Sequence, residues 1–269
     1  SKNVLKMDLW TCSTTAQNAS KWIPKMLSRW THHNAQKLPP ETAPKLLGGT
    51  GAKNQYLIIV ATSDRGLCGG FNGSIVRAVR ARIAELEAAD AKVYLFPIGR
   101  KGIEQLRRDH GESFLAERDG PGSRGPAYSD ASDIGKILLE WFDTGKFDVC
   151  EIVYNRFESA MTQVVTFQQL VPFAGQSLED ELPDGAVYEY EPDEEAILKK
   201  LLPRNIEVQV FRAMLENGAS EHGARMMAMD NATRNAGDMI DRLSLTYNRT
   251  RQAMITTELI EIVSGAEAL

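Results

Sequence analysis

The sequence predicts an α/β domain followed by a long C-terminal helix, and three observations support this fold class. Short apolar runs that are typical of buried strands alternate with segments whose apolar residues recur every three or four positions. A glycine-rich turn at residues 66–70 joins the first such strand to the first such helix. After Pro192 the chain is dominated by helix-forming residues, and Pro203 is its last proline.

Composition excludes several classes of protein. The 269 residues include 31 Lys and Arg against 36 Asp and Glu, so the net charge of −5 argues against general nucleic-acid binding. The longest apolar run, Leu57 to Ala61, is far too short to span a membrane. Cys12, Cys68 and Cys150 show no CxxC spacing, which fits neither a disulfide framework nor a zinc site. With no visible secretory signal or transit peptide, we expect a soluble intracellular chain in a reducing compartment.

The first half of the predicted domain begins at Tyr56. The uninterrupted apolar run from Tyr56 to Ala61 is typical of a strand that is covered on both faces. Asn72 is placed to cap the following helix. The apolar positions of this helix are Ile75, Val76, Val79, Ile83 and Leu86. Lys92 to Ile98 is predicted to be the next strand, and Lys101 to Arg108 a short helix.

The second half of the domain begins with a loop. Residues 109–129 contain four glycines and two prolines, which is typical of a mobile loop. Ser132 to Phe142 has the apolar spacing of a helix, and Val149 to Tyr154 and Gln163 to Val171 are predicted to be strands. Strands that alternate with helices predict an α/β sandwich built from crossover units.

The last third is predicted to be helical over Glu194 to Leu202 and over Arg204 to Ser264. About sixty residues of helix extend roughly 90 Å, so we expect this helix to reach beyond a compact domain. An apolar seam repeats at steps of three or four residues, as in a left-handed coiled coil. It comprises Met229, Ala232, Ala236, Met239, Leu243, Tyr247, Thr250, Met254, Thr257 and Glu261. Because Thr250 and Thr257 are weak knobs, we interpret the helix as a shaft held within a larger assembly.

The candidate chemical site is the turn from Thr62 to Asn72. A glycine-rich turn between strand and helix is able to bind phosphate, but this one has neither GxGxxG nor GxxxxGK[ST]. We therefore favour a tight crossover over a phosphate site. Cys68 is a candidate nucleophile at a helix N-terminus, although a small buried cysteine is the favoured interpretation. His110 and His222 are interpreted as surface residues, and no metal cluster or catalytic set stands out.

Two motifs resemble a known family. The turn TSDRGLCGGFN (62–72) and the C-terminal run from Met226 to Leu269, which ends in ITTELIEIVSGAEAL, resemble the gamma subunit of F-type ATP synthases. The resemblance extends from about Ala43 to Leu269. It implies a Rossmann-like α/β globular domain and an antiparallel coiled coil formed by the N- and C-terminal helices. The implied regions are 1–54 (N-terminal helix), 55–192 (globular foot) and 193–269 (C-terminal helix), without a cofactor, a metal or catalytic residues.

The resemblance also implies a function and partners. A gamma subunit is the rotor of a proton-translocating ATP synthase and transmits torque between the membrane c-ring and a ring of three alpha and three beta subunits. The epsilon subunit is a further implied partner, an inhibitory subunit is a candidate partner, and nucleic acid is not expected. The implied location is the cytoplasmic side of a bacterial plasma membrane, or alternatively the matrix side of the mitochondrial inner membrane.

Specific positions match the functional positions of the family. The implied beta-subunit contacts are Arg251, Gln252 and Thr256. The implied tip in an apolar sleeve comprises Ile262, Val263, Ala266 and Leu269. The implied contacts with the c-ring and epsilon are Tyr188, Tyr190 and Glu191. From composition alone, the first group would be interpreted as a solvated coiled-coil face and the third as an ordinary exposed strand end.

Residues 8–40 depart from the family pattern. They hold three of the four tryptophans, two of the four histidines and a single acid, Asp8. We interpret them as translation in another reading frame, with a divergent segment as the alternative. Two other functions remain open at this point: a small α/β nucleotide-binding enzyme that uses the glycine-rich turn, and a coiled-coil adaptor. An enzyme would require an acid/base or metal set, and an adaptor would not explain both motifs.

Overall fold

The computed structural model describes residues 51–173 and 194–267, together with Leu46 and Gly49. Its sheet has four strands in the order β2-β1-β3-β4, and β1 pairs in parallel with both β2 and β3. The strands are β1 (Gln55–Ala61), β2 (Lys92–Ile98), β3 (Val149–Phe157) and β4 (Gln163–Val171). The bounds predicted for β2 and β4 are confirmed at both ends.

Four α-helices surround or follow the sheet in the described part of the chain. They are α1 (Phe71–Ala88), α2 (Arg100–His110), α3 (Tyr128–Asp143) and α4 (Glu194–Glu267). Each was predicted, and the observed helices extend the predicted ones by a few residues. Parallel strands require long crossovers, which α1 and α3 provide.

The sheet is the middle layer of three. Side chains alternate along β1, so Leu57 and Ile59 pack with α3 and the first part of α4, whereas Ile58 and Val60 pack with α1 and α2. All four of these β1 side chains are fully buried. This two-sided burial explains the uninterrupted apolar runs by which the strands were predicted.

The start of α1 differs from the prediction. The helix begins at Phe71, with Gly70 at the N-cap position and no side-chain capping bond. Asn72 is therefore the second residue of the helix, and the prediction that it caps the helix was wrong. Its side chain turns back to the end of β1, where it accepts the backbone N–H of Ser63 at 3.0 Å.

The loop predicted to be mobile follows a defined course along the outer side of β2. The backbone N–H of Leu115 donates to Leu95 at 3.0 Å, and that of Arg118 donates to Pro97 at 3.1 Å. The backbone N–H of Gly99 donates in turn to Arg118 at 2.9 Å. These bonds pair the otherwise free edge of β2 with the loop. The glycines and prolines therefore correctly predicted irregular structure, but the loop is held by hydrogen bonds and is not without contacts.

The connection to the last strand differs from the predicted series of crossover units. β4 follows β3 through a short hairpin and runs antiparallel to it. Five residues separate the two strands, which is too short a connection for a parallel crossover.

The helix α4 belongs to two compact units, which divide between Met226 and Met227. In the first unit, Ile206, Val210 and Met214 pack into the core on the α3 side of the sheet. The compact division therefore falls about thirty residues after the boundary expected at Pro192. Pro203 lies inside the helix and does not end it.

The second unit is the remainder of α4. All side chains from Asn231 to Ser264 are exposed, including seam residues such as Met239, Leu243 and Met254. The hydroxyls of Thr250 and Thr257 donate to the carbonyl oxygens of Thr246 and Ala253, at 2.9 and 3.0 Å. Each of these side chains therefore presents its methyl group for packing against a neighbour. Among the described residues, none of the helices combines the length and apolar character needed to cross a lipid bilayer.

Candidate functional site

The glycine-rich turn lies at the carboxyl end of β1, the edge at which open α/β sheets bind their ligands. Thr62, the first residue of the turn, is buried and bonds to the neighbouring strand end and to α2. Its hydroxyl lies 3.0 Å from the carbonyl oxygen of Ile98, to which it donates, and it accepts the backbone N–H of Gly102 at 2.9 Å. This side chain therefore ties the end of β1 to the start of α2.

Asp64 makes a second connection from the same turn. Its side chain is only 5% exposed. The carboxylate accepts the backbone N–H groups of Arg100, Gly120 and Gly122 at 3.1, 2.8 and 2.9 Å. The N–H of Arg100 is at the N-terminus of α2, where a negative charge is stabilised by the helix dipole. An internal carboxylate thus occupies one backbone donor at the start of α2 and two donors of the loop along β2.

The third polar cluster comprises Ser63, Cys68 and Asn72. The amide of Asn72 donates to Ser63 Oγ at 2.8 Å and to Cys68 Sγ at 3.3 Å. Cys68 is buried, which agrees with the favoured interpretation of a small buried cysteine. Cys150 is also buried, and desolvation raises the pKa of its thiol.

Two glycines allow these segments to approach closely. Gly99 has φ +101, and a Cβ at this position would lie 2.3 Å from the carbonyl oxygen of Thr62. Gly102 has a helical backbone, but its Cβ would lie 2.5 Å from Thr62 Oγ1. Both positions require glycine because Thr62 lies directly beside them, with its backbone next to Gly99 and its side chain next to Gly102.

The arrangement is suited to holding strand and helix ends together. The polar groups of the turn bond to other parts of the protein, as a tight crossover requires. In the two described stretches of the chain, no cluster of three or more His, Cys, Asp or Glu side chains is placed to hold a metal ion. His222 is only part-exposed, and its Nδ1 is buried without a hydrogen-bond partner, so it is not the fully solvated residue that was expected.

The residues matched to beta-subunit contacts lie together in the second unit. Arg251, Gln252 and Thr256 are all exposed. Gln252 and Thr256 are four residues apart and share a face of the helix, and the Thr256 hydroxyl donates to the Gln252 carbonyl oxygen at 2.8 Å. Arg251 lies about 100° around the helix from Gln252.

The residues matched to the apolar tip are described in part. Ile262 and Val263 are 71% and 48% exposed. Ala266 lies within α4, whereas its side chain and all of Leu269 are outside the described residues. Tyr188, Tyr190 and Glu191 also lie outside them.

The seam analysis missed a second apolar group on α4. Ile255, Leu259 and Ile260 are each more than half exposed, and their spacing places them on one side of the helix, within about 140° of one another. Together with Ile262 and Val263 they form a second apolar face, roughly opposite the face of the seam, so protein on both sides is needed to cover the apolar residues of this helix. These apolar residues are visible in the sequence, but a search for a single apolar seam along the helix does not detect a second face.

Comparison with known proteins decides the family. A family model described as ATP synthase matches residues 13–269. The ATP synthase gamma chain of Rhodospirillum rubrum is 51% identical over 262 residues, which cover 95% of this chain and 88% of the relative. The chain belongs to the ATP synthase gamma-chain family. The gamma chain of Paracoccus denitrificans is 50% identical over 254 residues, covering 94% of this chain and 87% of the relative.

Solved structures share the fold of this gamma-chain family member. A chain from the Tetrahymena thermophila mitochondrial ATP synthase central stalk and c-ring has a TM-score of 0.64 at 23% identity, covering 86% of this chain and 97% of that one. A chain from the Euglena gracilis mitochondrial ATP synthase has a TM-score of 0.62 at 21% identity, covering 99% and 93%. The α/β domain with a long helix is thus confirmed. The family match begins at residue 13, so it includes most of residues 8–40 and is longer than the resemblance drawn from the two motifs.

Proposed function

We propose that this chain is the central-stalk rotor subunit of a proton-translocating F-type ATP synthase. In this role it transmits torque between the membrane c-ring and a catalytic ring of three alpha and three beta subunits. The observation that carries the proposal is the second unit of α4, whose side chains from Asn231 to Ser264 are exposed although many are large and apolar. A helix with apolar residues on two opposite faces needs other protein on both of them to cover those residues.

The mechanism requires no catalytic group from this chain. A rotor whose sides differ presents a different surface to each of three surrounding sites as it turns. A contact shifts the equilibrium of a site only by its differential affinity for the states of that site, so the unequal sides act as the effector. On this chain Arg251, Gln252 and Thr256 are the proposed contacts with beta subunits.

The other proposed contacts are with the apolar sleeve of the catalytic ring and with the membrane-side partners of the rotor. Ile262, Val263, Ala266 and Leu269 form the proposed tip within the apolar sleeve of the ring. Tyr188, Tyr190 and Glu191 form the proposed contact with the c-ring and the epsilon subunit, and an inhibitory subunit is a further candidate partner. The rotor is then peripheral to the membrane, on the cytoplasmic side of a bacterial plasma membrane or, alternatively, on the matrix side of the mitochondrial inner membrane.

Co-purification with the catalytic subunits tests this proposal. A tagged copy, co-expressed with alpha, beta and epsilon subunits of a gamma-chain relative's complex, is expected to recover three alpha and three beta subunits per chain. The variant Ile255→Asp/Leu259→Asp places two charges on one apolar face of the helix and is expected to lose the alpha and beta subunits. Ser244→Asp adds a charge at an exposed position that was already polar and is the matched control.

The competing functions give different results in the same experiment. An adaptor would be recovered without alpha and beta subunits, or with other proteins in their place. A nucleotide-dependent enzyme would hydrolyse ATP as the purified chain alone. Either result would contradict the rotor proposal.

A further inference from the structure

A rotor helix needs a joint to the globular unit that resists twisting, and the first unit contains a candidate near the end of β3. β1 pairs with β3 only as far as Val153, so Asn155 lies past the last residue that β1 reaches. The backbone of Asn155 is nevertheless fully buried, since the residue is 2% exposed. On one edge Asn155 is in register with Val165 of β4. On the edge toward β1 its buried backbone groups have no strand partner and must find another one.

Helix α4 supplies that partner. The backbone N–H of Asn155 donates to Asn217 Oδ1 at 3.2 Å, and its carbonyl oxygen accepts the Ser220 hydroxyl at 2.8 Å. Two side chains of one helix thus take the place of a missing strand. Asn217 and Ser220 are 5% and 0% exposed, so water does not compete for these bonds.

The same asparagine continues the connection to a third element. The side-chain amide of Asn155 donates to the carbonyl oxygen of Phe71, the first residue of α1, at 3.3 Å. Phe71 directly follows the glycine-rich turn. A chain of buried hydrogen bonds therefore joins α4, the end of β3 and the start of α1.

The position of this cluster along α4 suits a joint. Asn217 and Ser220 lie within the last ten residues of the first unit, which ends at Met226. The neighbouring contacts on the helix are close but apolar: a Cβ on Gly223 would lie 3.4 Å from Ala160 Cα and from Phe157 Cε2. Apolar contacts have no preferred direction, whereas hydrogen bonds weaken steeply when their angle changes. Rotation of α4 about its own axis would therefore strain these bonds, together with the bonds from Tyr128 to Glu207 and from Gln168 to Gln209 nearer the start of the helix.

We infer that Asn217, Ser220 and Asn155 form a clamp that passes torque between α4 and the globular unit. Asn217 and Ser220 are positioning residues, because they act through the sheet and touch no reacting group. The inference rests on the proposed rotor function. It assigns to these three residues the hydrogen-bonded connection that lies within ten residues of the end of the first unit.

The test compares hydrolysis with proton pumping in the complete ATP synthase that contains this chain, in membrane vesicles. ATP hydrolysis needs only a rotor that turns within the ring, whereas ATP-driven proton pumping needs torque to cross the joint against a load. The variant Asn217→Leu/Ser220→Ala removes both bonds to Asn155 while keeping similar side-chain volumes. We expect hydrolysis within about two-fold of the wild type and a pumping-to-hydrolysis ratio lowered about three-fold.

The control is Val208→Ala, which removes buried apolar volume from the same helix and leaves the clamp intact. It is expected to keep the wild-type ratio. An unchanged ratio in the double variant overturns the clamp, and so does an equal fall in Val208→Ala, which would indicate general destabilisation. If the double variant does not assemble, the ratio measured for Ser220→Ala alone decides by the same criterion. A wild-type complex that hydrolyses ATP without pumping would count against the rotor function and the clamp together.

Discussion

The carboxylate of Asp64 accepts the backbone N–H of Gly120 at 2.8 Å, across a sequence separation of 56 residues. The same carboxylate accepts the N–H groups of Arg100 and Gly122. One buried side chain therefore joins the end of β1, the start of α2 and the loop that runs along β2. The negative charge at this edge of the sheet is therefore supplied by a side chain of the protein and not by a bound ligand.

Replacing Asp64 is expected to destabilise the α/β domain. In Asp64→Asn one carboxylate oxygen becomes an NH₂ group that faces a backbone N–H donor, and the negative charge at the start of α2 is lost, so we expect a loss of about 2 kcal/mol. Urea unfolding, followed by circular dichroism, measures the loss. Asp119→Asn, at an exposed position in the same loop, is expected to change stability by less than about 0.5 kcal/mol. Equal stability of the two variants would show that the three bonds at Asp64 contribute little.

Two helical glycines are expected to respond to alanine with opposite signs. At Gly73 of α1 a Cβ would meet nothing within 4 Å, so Gly73→Ala should raise stability by about 0.5 kcal/mol through the higher helix propensity of alanine. At Gly102 of α2 the Cβ would lie 2.5 Å from Thr62 Oγ1, so Gly102→Ala should lower stability by about 2 kcal/mol. Thermal unfolding of both variants provides the comparison, and a stabilised Gly102→Ala would contradict it.

Stability is expected to fall at alkaline pH in a way that depends on Tyr154. Burial, with a smaller effect of Glu216, raises the pKa of its hydroxyl to about 12. An unfolded tyrosine ionises near pH 10, so between about pH 10 and 12 the folded state keeps a proton that the unfolded state has lost. The stabilisation is complete below this range and is lost as the pH rises through it.

Tyr154→Phe is therefore expected to unfold with a shallower pH dependence. The slope of unfolding free energy against pH, measured between pH 10 and 12, should be smaller by about 1 kcal/mol per pH unit. Tyr247→Phe, at an exposed position in the second unit, should keep the wild-type slope. Identical slopes in the wild type and in Tyr154→Phe would contradict the expectation.

Arg251 is expected to affect turnover of the assembled complex. A guanidinium pairs bidentately with a carboxylate, and an ion pair excluded from water at a subunit interface costs several kcal/mol on truncation, against less than about 1 kcal/mol for an exposed pair. Arg251→Ala should lower ATPase turnover several-fold at normal subunit stoichiometry. Arg251→Lys should be intermediate, and Asp238→Ala should do much less. Wild-type turnover in Arg251→Ala would place the torque contact elsewhere on the helix.

The isolated chain is not expected to bind ATP tightly. The turn from Thr62 to Asn72 has no lysine to reach a terminal phosphate, and the Asp64 carboxylate occupies one backbone donor at the start of α2. Calorimetric titration of the purified chain with ATP should give no saturable heat. Stoichiometric binding would revive the nucleotide-enzyme alternative.

Local sequence patterns predicted the helices and strands well. They failed where contacts between residues distant in sequence determine the position of a side chain. The apolar runs of β2 and β4 are bounded by polar or turn residues, so both strands were predicted to the residue. Asn72 is a good capping residue in isolation, but Ser63 and Cys68 compete for its side chain. The bonds of Asp64 and Asn155 were not predictable, because they join residues 36 to 84 positions apart and no local rule connects them.

The threonine hydroxyls on the exposed part of α4 have one further consequence. Thr250 and Thr257 are polar by composition, yet each hydroxyl proton is already committed to the backbone of its own helix. The methyl group then packs against a neighbouring surface, and that attraction depends on contact area rather than on alignment, whereas the hydroxyl oxygen keeps lone pairs that accept a hydrogen bond. When a neighbouring surface slides past such a methyl group, no hydrogen bond to the methyl group is broken. These threonines therefore make contact without fixing the position of the neighbour. Valine would offer the same surface, but it would lack the internal bond that anchors the threonine side chain to its own helix.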